Sequence, residues 1–524
     1  MNRLLAHRPV VWVAAISALA ATALLVVPAK SLSSGAARTA APAGTVIVAQ
    51  SVDPTTMDPQ NQRETPTFNV LTHLYDPLVM RDTKNPKTFD GVLATSFKRL
   101  SPTAMRFTLR KGVKFDDGSA FNATTVKYNI DRIMGTLPGE KTPPLLSFQF
   151  TSLSGAHVIS PTTVDIGTKT PDPLLLARLS SLLMIPTGSV DTDANALAAK
   201  PDGTGPYSLV TWDRNNQVVM KAQPNYFRGK PKITNLIFKD MPDDASRLAA
   251  LESGDVDVIS NLPPDNVQEV KSAGQATVRS VPSARVTSIW LNTLDTPQLK
   301  SAKVRQALNY AVDVNTIIKK VMSGYGLRTA TIVPPYFAGY SKSVKPFPYN
   351  PAKAKQLLKQ AGYPDGFSMT MMVPRGRYLL GEDIAQAVAG YLGKVGVKTA
   401  VNIVDFGVFA KATQTRQIPD AFFAGWGESF FNPIDEAQVA VQCGTKGFSW
   451  YCNNSVDKLI IKAATTLNQK KQDAVILQFQ QAILKDPPFI YLFAYKDIYG
   501  ISKRLNWTPR TDETIYMYEA SLKQ

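Results

Sequence analysis

Two short stretches carry the side chains best suited to gripping a small polar molecule. The first, MMVPRGRYLLGED, places Arg375, Arg377 and Tyr378 just past a strand-like run. A guanidinium presents a planar fork of donors that matches both oxygens of a carboxylate, so arginine suits an anionic ligand group. The competing readings are a solvated loop arginine for Arg375 and an exposed ring for Tyr378. The second stretch, FFAGWGESFFNP, puts Trp426, Phe430 and Phe431 after another strand. There they form either the apolar wall of a cleft or ordinary core. Glu428 and Ser429 lie between them. Glu428 can balance an ammonium group and neutral Ser429 cannot, and adjacent side chains of an extended segment point to opposite faces.

Covalent and metal chemistry find little support. The chain has no G-x-S-x-G, no H-E-x-x-H, no Walker motif and no Cys/His pairing. His73 and His157 are isolated, which fits satisfied structural histidines better than ligands, so no metal or cofactor is expected. Trp290 and Asn292 read as strand-packing residues. Cys443 and Cys452, the two cysteines, suit a disulfide closing a small loop. Loop-closure entropy would then contribute about 2–3 kcal/mol. Carboxylate pairs of a secreted hydrolase converge only in space, so that class stays open.

The elements that must position these residues are α/β. In MRFTLRKGVKFDDGSAF, Met105, Phe107 and Leu109 alternate with polar residues as in a half-buried strand. Asn122 then caps a helix with Val126, Ile130 and Ile133 on its apolar face. Ile233 to Ile259 reads strand, helix, strand, with Ala245, Leu248, Ala249 and Leu251 inward and parallel pairing of the flanking strands. The pattern recurs from Ser368 to Phe406, with Ile384, Ala387, Val388, Tyr391 and Leu392 on the helix. Two such units far apart predict two lobes and a cleft between them. Between them, one helix is expected over Val304 to Val321. A second starts at Asn350-Pro351 and stops at Gly362.

At 524 residues the chain exceeds one core, and 44% hydrophobic content supports packed interiors. Arg3 and Arg8, the uncharged apolar run Val10 to Val27, and Ala41-Pro42-Ala43 before Gly44 predict a cleaved secretory signal peptide over 1–43. An uncleaved anchor is the alternative. No cysteine is near the cleavage point, so no lipoprotein is expected. Without the four basic residues of that segment, 54 basic face 41 acidic residues, a net +13. These charges are scattered, which fits a solvated surface and excludes a nucleic-acid stripe.

The DDG segment resembles the signature block of the peptide/nickel family (family 5) of extracytoplasmic solute-binding proteins, the receptors of ABC importers, and dipeptide and oligopeptide receptors in particular. PDGTGPYSLVTW, QPNYFRGKPKITNLIF, DASRLAALESGDVDVI, LNTLDTPQLKSAKVRQALNYAVDVNTII and YNPAKAKQLLKQAGYPDG are similar to further family blocks in the right order. The resemblance implies the large three-domain (type II) variant of the two-lobed periplasmic binding protein, with a hinge and an interlobe cleft. Lobe I would comprise 44–76, 192–283 and 492–524, an inserted domain 77–191, and lobe II 284–491.

In peptide-binding members a carboxylate receives the ligand amine and an arginine its carboxyl end. Arg375 resembles that arginine. The family's W-x-x-D has Trp426 here but Ser429 in place of the Asp, with Glu428 beside it. The implied protein is a monomeric periplasmic receptor delivering a small solute, foremost a peptide, to separate permease and ATPase subunits. Oligosaccharides, opine-like compounds, chelated nickel or a sensor role are the alternatives within the fold.

Overall fold

Two long strands, Ala276–Leu291 and Phe489–Ser502, organise the molecule. The computed structural model describes residues 44–82, 88–138, 142–191, 193–427, 430–444 and 449–523. The expected signal peptide and the pair Glu428 and Ser429 lie outside the described residues. The long strands pair antiparallel, but their register breaks between Pro282 and Val286. Before the break, Phe489–Ser502 carries on its other side Val258–Ile259, followed outward by Thr45–Gln50, Asn235–Asp240, Gln217–Ala222 and Tyr207–Asp213. After it, Ala276–Leu291 carries Ala421–Gly427, then Phe367–Pro374 and Val397–Val404. One mixed sheet therefore has two halves joined through two strands.

The strand–helix–strand readings hold with two corrections. Phe367–Pro374 and Val397–Val404 pair directly and in parallel across the helix Gly381–Gly393. Asn235–Asp240 and Val258–Ile259 are also co-directional, but Thr45–Gln50 lies between them and pairs with both. A strand about 190 residues earlier leaves no local trace of that insertion. On the intervening helix Asp244–Ser253, Leu248 and Leu251 are buried as expected, whereas Ala245 and Ala249 are exposed and Arg247 is buried.

A further correction concerns Val304 to Val321, which forms two helices, Ala302–Ala311 and Val314–Lys320. Asp313 breaks the run: its carboxylate accepts from the Thr316 N–H at 3.1 Å and the Thr316 hydroxyl at 2.7 Å. Capping of this kind outcompetes continuation of the helix. Asn122 and Asn350 cap Ala123–Ile133 and Pro351–Gln360 as expected.

A separate antiparallel sheet runs Ala94–Ser101, Ala104–Leu109, Thr163–Thr168, Leu153–Ser160 and has its own apolar core with the helix Ala123–Ile133. The GTGPY segment fastens this part of the chain to the helix Thr65–Leu74. Gly205 N–H donates to Leu74 O at 3.0 Å, and a Cβ on Gly205 would lie 2.4 Å from the Leu74 carbonyl carbon. Gly is thus required by backbone approach, not by phosphate binding. No helix among the described residues is long and apolar enough to cross a membrane.

His73 is fully buried in the same helix. Its Nδ1–H donates to Asn69 O at 2.8 Å, and Nε2 accepts from the Met517 N–H at 2.8 Å, tying the C-terminal segment down. Burial lowers its pKa to about 4 from 6.5. The unfolded chain therefore takes up this proton more readily, and the stability His73 contributes above pH 6.5 is lost as pH falls through 4. The stability advantage of wild type over His73→Gln should shrink by about 3 kcal/mol between pH 7 and pH 4, measured by urea denaturation. An unchanged difference would refute the neutral buried imidazole.

Candidate functional site

A cavity of about 290 Å3 opens where the two sheet halves and the small sheet meet. One wall comes from residues 62–81 and 510–516, one from 146–183, and one from 377–427. Tyr378, Trp426 and Phe430 line it, as their sequence context suggested, with Phe406, Phe409 and Phe422 extending the aromatic panel. Arg375 does not line it. Its side chain is 60% exposed and sits 3.6 Å from Asp405, itself 82% exposed. Two positions on, Arg377 does line the cavity and pairs with Glu64 at 3.3 Å. Phe431 turns away at φ 54° and packs on Phe337 in the adjacent core. Glu428 and Ser429 follow the lining residue Gly427 but lie outside the described residues.

The electrostatic centre of the site is Arg285, which sits in the register break. Its Nε–H donates to Glu513 Oε1 at 3.0 Å and its Nη2 to Oε2 at 2.5 Å, while Nη1 donates to Gly425 O at 2.7 Å. Burial alone would lower the guanidinium pKa, but the Glu513 charge and hydrogen bonds raise it. Burial would likewise raise Glu513, and Arg285 holds it below the usual carboxylate range. Asp497, alongside, has no such partner, so burial and the Glu513 charge push it well up. Glu513 adopts φ 62°, a left-handed conformation costly for a side-chain residue, which the bidentate pair offsets. Gly427 makes room: a Cβ there would meet Arg285 Nη2 at 2.7 Å.

Four residues around the cavity have a buried polar atom without a hydrogen-bond partner: Gln149 Oε1, Trp290 Nε1, Arg510 Nη1 and Tyr516 Oη. Arg510 is otherwise paired with Asp512, at 2.9 Å through Nε and 2.5 Å through Nη2. Burial would raise Asp512, but the Arg510 charge keeps it low. Unmade hydrogen bonds of this kind are expensive, and these four buried atoms gather beside one cavity.

Sequence reasoning did not reach Arg285, Gln149, Arg510, Glu513 or Tyr516, and assigned Trp290 only to packing. Signals existed: Arg285 interrupts the otherwise uncharged run VPSARVTSIW, and RTDETIYMY crowds charges against aromatics. Cys443 and Cys452 form a disulfide, and the Cys443 N–H donates to Asp457 at 3.2 Å. Among the described residues no group of three or more His, Cys, Asp or Glu could hold a metal ion.

This architecture is that of the two-lobed solute-binding proteins. Residues 88–448 match the model of bacterial extracellular solute-binding proteins, family 5, and the chain belongs to that family, the substrate-binding components of ABC importers. The glutathione-binding protein GsiB of Escherichia coli (strain K12) is 30% identical over 478 residues, covering 88% of this chain and 91% of the relative. Its Salmonella typhimurium counterpart is 30% identical over 491 residues, 90% and 93% of the two chains. The fold is shared with the Helicobacter pylori periplasmic binding protein DppA in complex with peptide STSA. That match has a TM-score of 0.83 and 23% identity, over 92% and 98% of the two chains. The Pseudoalteromonas dipeptide-binding protein with Met-Leu gives 0.84 and 22%, over 91% and 100%.

Removing one partner of a buried ion pair strands the other charge. Glu513→Gln should destabilise the protein by about 3 kcal/mol in urea unfolding at pH 7. A loss below about 1 kcal/mol would mean Arg285 is compensated elsewhere.

Proposed function

We propose that this chain is the periplasmic receptor of an importer for short peptides of the glutathione class. The observation that carries the reading is the set of unpartnered polar atoms on Gln149, Trp290, Arg510 and Tyr516 around a cavity of about 290 Å3. That volume lies at the lower end for small-molecule sites, which favours a di- or tripeptide over a longer chain. Arg510 receives a ligand carboxylate through Nη1. Trp426, Tyr378 and Phe430 pack against its apolar parts. Glu428, next to Gly427, is the candidate acid for the ligand ammonium group, with Ser429 beside it.

In this reading lobe I comprises 44–76, 192–283 and 492–524, the inserted domain 77–191, and lobe II 284–491. The register break between Pro282 and Val286 serves as the hinge. Ligand contacts to both sides stabilise the closed state by their differential affinity for it. Residues 1–43 direct export and are removed, and the mature protein works as a monomer. It releases unaltered solute to separate permease subunits driven by their own ATPases, and performs no chemistry.

Isothermal titration of the purified protein with reduced glutathione should give saturable one-to-one binding, with glutathione recovered unchanged. Arg510→Met should weaken binding at least tenfold, whereas Arg375→Ala should stay within twofold. Absence of binding to both glutathione and Met-Leu would sink the peptide reading.

A further inference from the structure

The small sheet and its helices reach beyond their own core to grip the stretch after Trp426. Leu174 packs into the apolar cluster that holds Phe431, Ile434 and Ala437. Next to it, Arg178 is 6% exposed and bonded on two sides. Nη1 donates to Asp172 Oδ2 at 2.6 Å, within its own module. Nη2 donates to Gln438 Oε1 at 2.8 Å and lies 3.7 Å from Asp435 Oδ1, across the interface. Asp172 is itself fixed by Ser152 Oγ at 2.6 Å and the Leu174 N–H at 2.7 Å, so the guanidinium is presented in one orientation. None of Asp172, Leu174, Arg178, Asp435 or Gln438 lines the ligand cavity. Gln149 does, and its side chain hydrogen-bonds Asp435.

We propose that Arg178, Asp435 and Gln438 form a closure clasp that is separate from the ligand and gives the inserted module its role: holding lobe II in the closed geometry. The inference rests on the two-lobed receptor reading. The bond from Arg178 Nη2 to Gln438 exists only when the two surfaces meet, although Nε is left without a partner, so the clasp adds to the closed state independently of any ligand contact. Gln149 links the two, since a ligand group bonded to its Oε1 fixes the amide that reaches Asp435. Arg178, Asp435 and Gln438 are thus positioning residues, and they act on how long the cleft stays shut rather than on what enters it.

The test is a distance measurement between spin labels on I159C in the small sheet and I461C on the helix Asn454–Ala464. Both sites are about half exposed, and the native cysteines are paired. Without ligand, the labelled protein should show a short-distance closed population, which Arg178→Met should reduce at least fivefold. Gln438→Ala leaves the Arg178–Asp172 pair intact and should reproduce the loss, so a folding defect of the first variant is recognised. Combining the two should add little to either alone. A closed population that is absent from wild type, or retained in Gln438→Ala, overturns the clasp. A separate arm adds reduced glutathione: wild type should shift to the short distance, with about tenfold faster release in Gln438→Ala and unchanged association. No shift on glutathione counts against the glutathione reading alone, because the ligand-free arm decides the clasp.

Discussion

A single buried ion pair, Arg285 with Glu513, stands where the two halves of the sheet are joined. A charge placed inside a strand break is tolerable only with a close, bidentate partner. That requirement brings in the C-terminal segment, holds Glu513 in a left-handed conformation, and obliges the facing strand to offer glycine at 427 and a carbonyl at 425. Ser283 adds to the frame by donating to Glu513 at 2.7 Å and accepting from the Arg285 N–H at 3.1 Å. The cavity borders this pair directly, so the walls on both sides inherit their positions from it.

The cleft combines an aromatic panel with polar atoms whose hydrogen bonds are unmade. The rings supply apolar area that tolerates different side chains, whereas the unpartnered groups impose direction. Arg377 bonded to Glu64 and Arg510 bonded to Asp512 show how cations are kept in place: each carboxylate fixes an arginine, and Arg510 retains a buried donor without a partner. The arrangement suits a receptor that must hold a solute and later let it go.

Local features of the fold were legible in the sequence because their causes are local. Caps at Asn122 and Asn350, and the alternation of Met105, Phe107 and Leu109, involve neighbours a few residues apart. The break at Asp313 is equally local, but its cap interrupts an apolar face that is continuous in the sequence and masks the break. The insertion of Thr45–Gln50 between two later strands could not be read, since it depends on topology alone. The site divides the same way. Tyr378 and Phe430 follow strand ends and reach the cavity, as does Trp426 from within the strand Ala421–Gly427 rather than after it. Arg375 shares the strand-end context and yet points to solvent beside Asp405. Arg285, Gln149 and the pair Arg510 and Glu513 come together only through the fold, from three distant stretches of chain.

The sequence distances behind the cleft have a kinetic meaning. Arg377 meets Glu64 across 313 residues, and Arg285 meets Glu513 across 228. Contacts this remote return energy only after the entropy of closing very large loops has been met, so they form late. The apolar core of the small sheet can condense before residues 510–516 dock, whereas the core around Val46 and Val48 is completed by Ile515 itself. A half-folded chain therefore has interiors but no receptor, and occupancy of the cleft doubles as a signature that folding is complete.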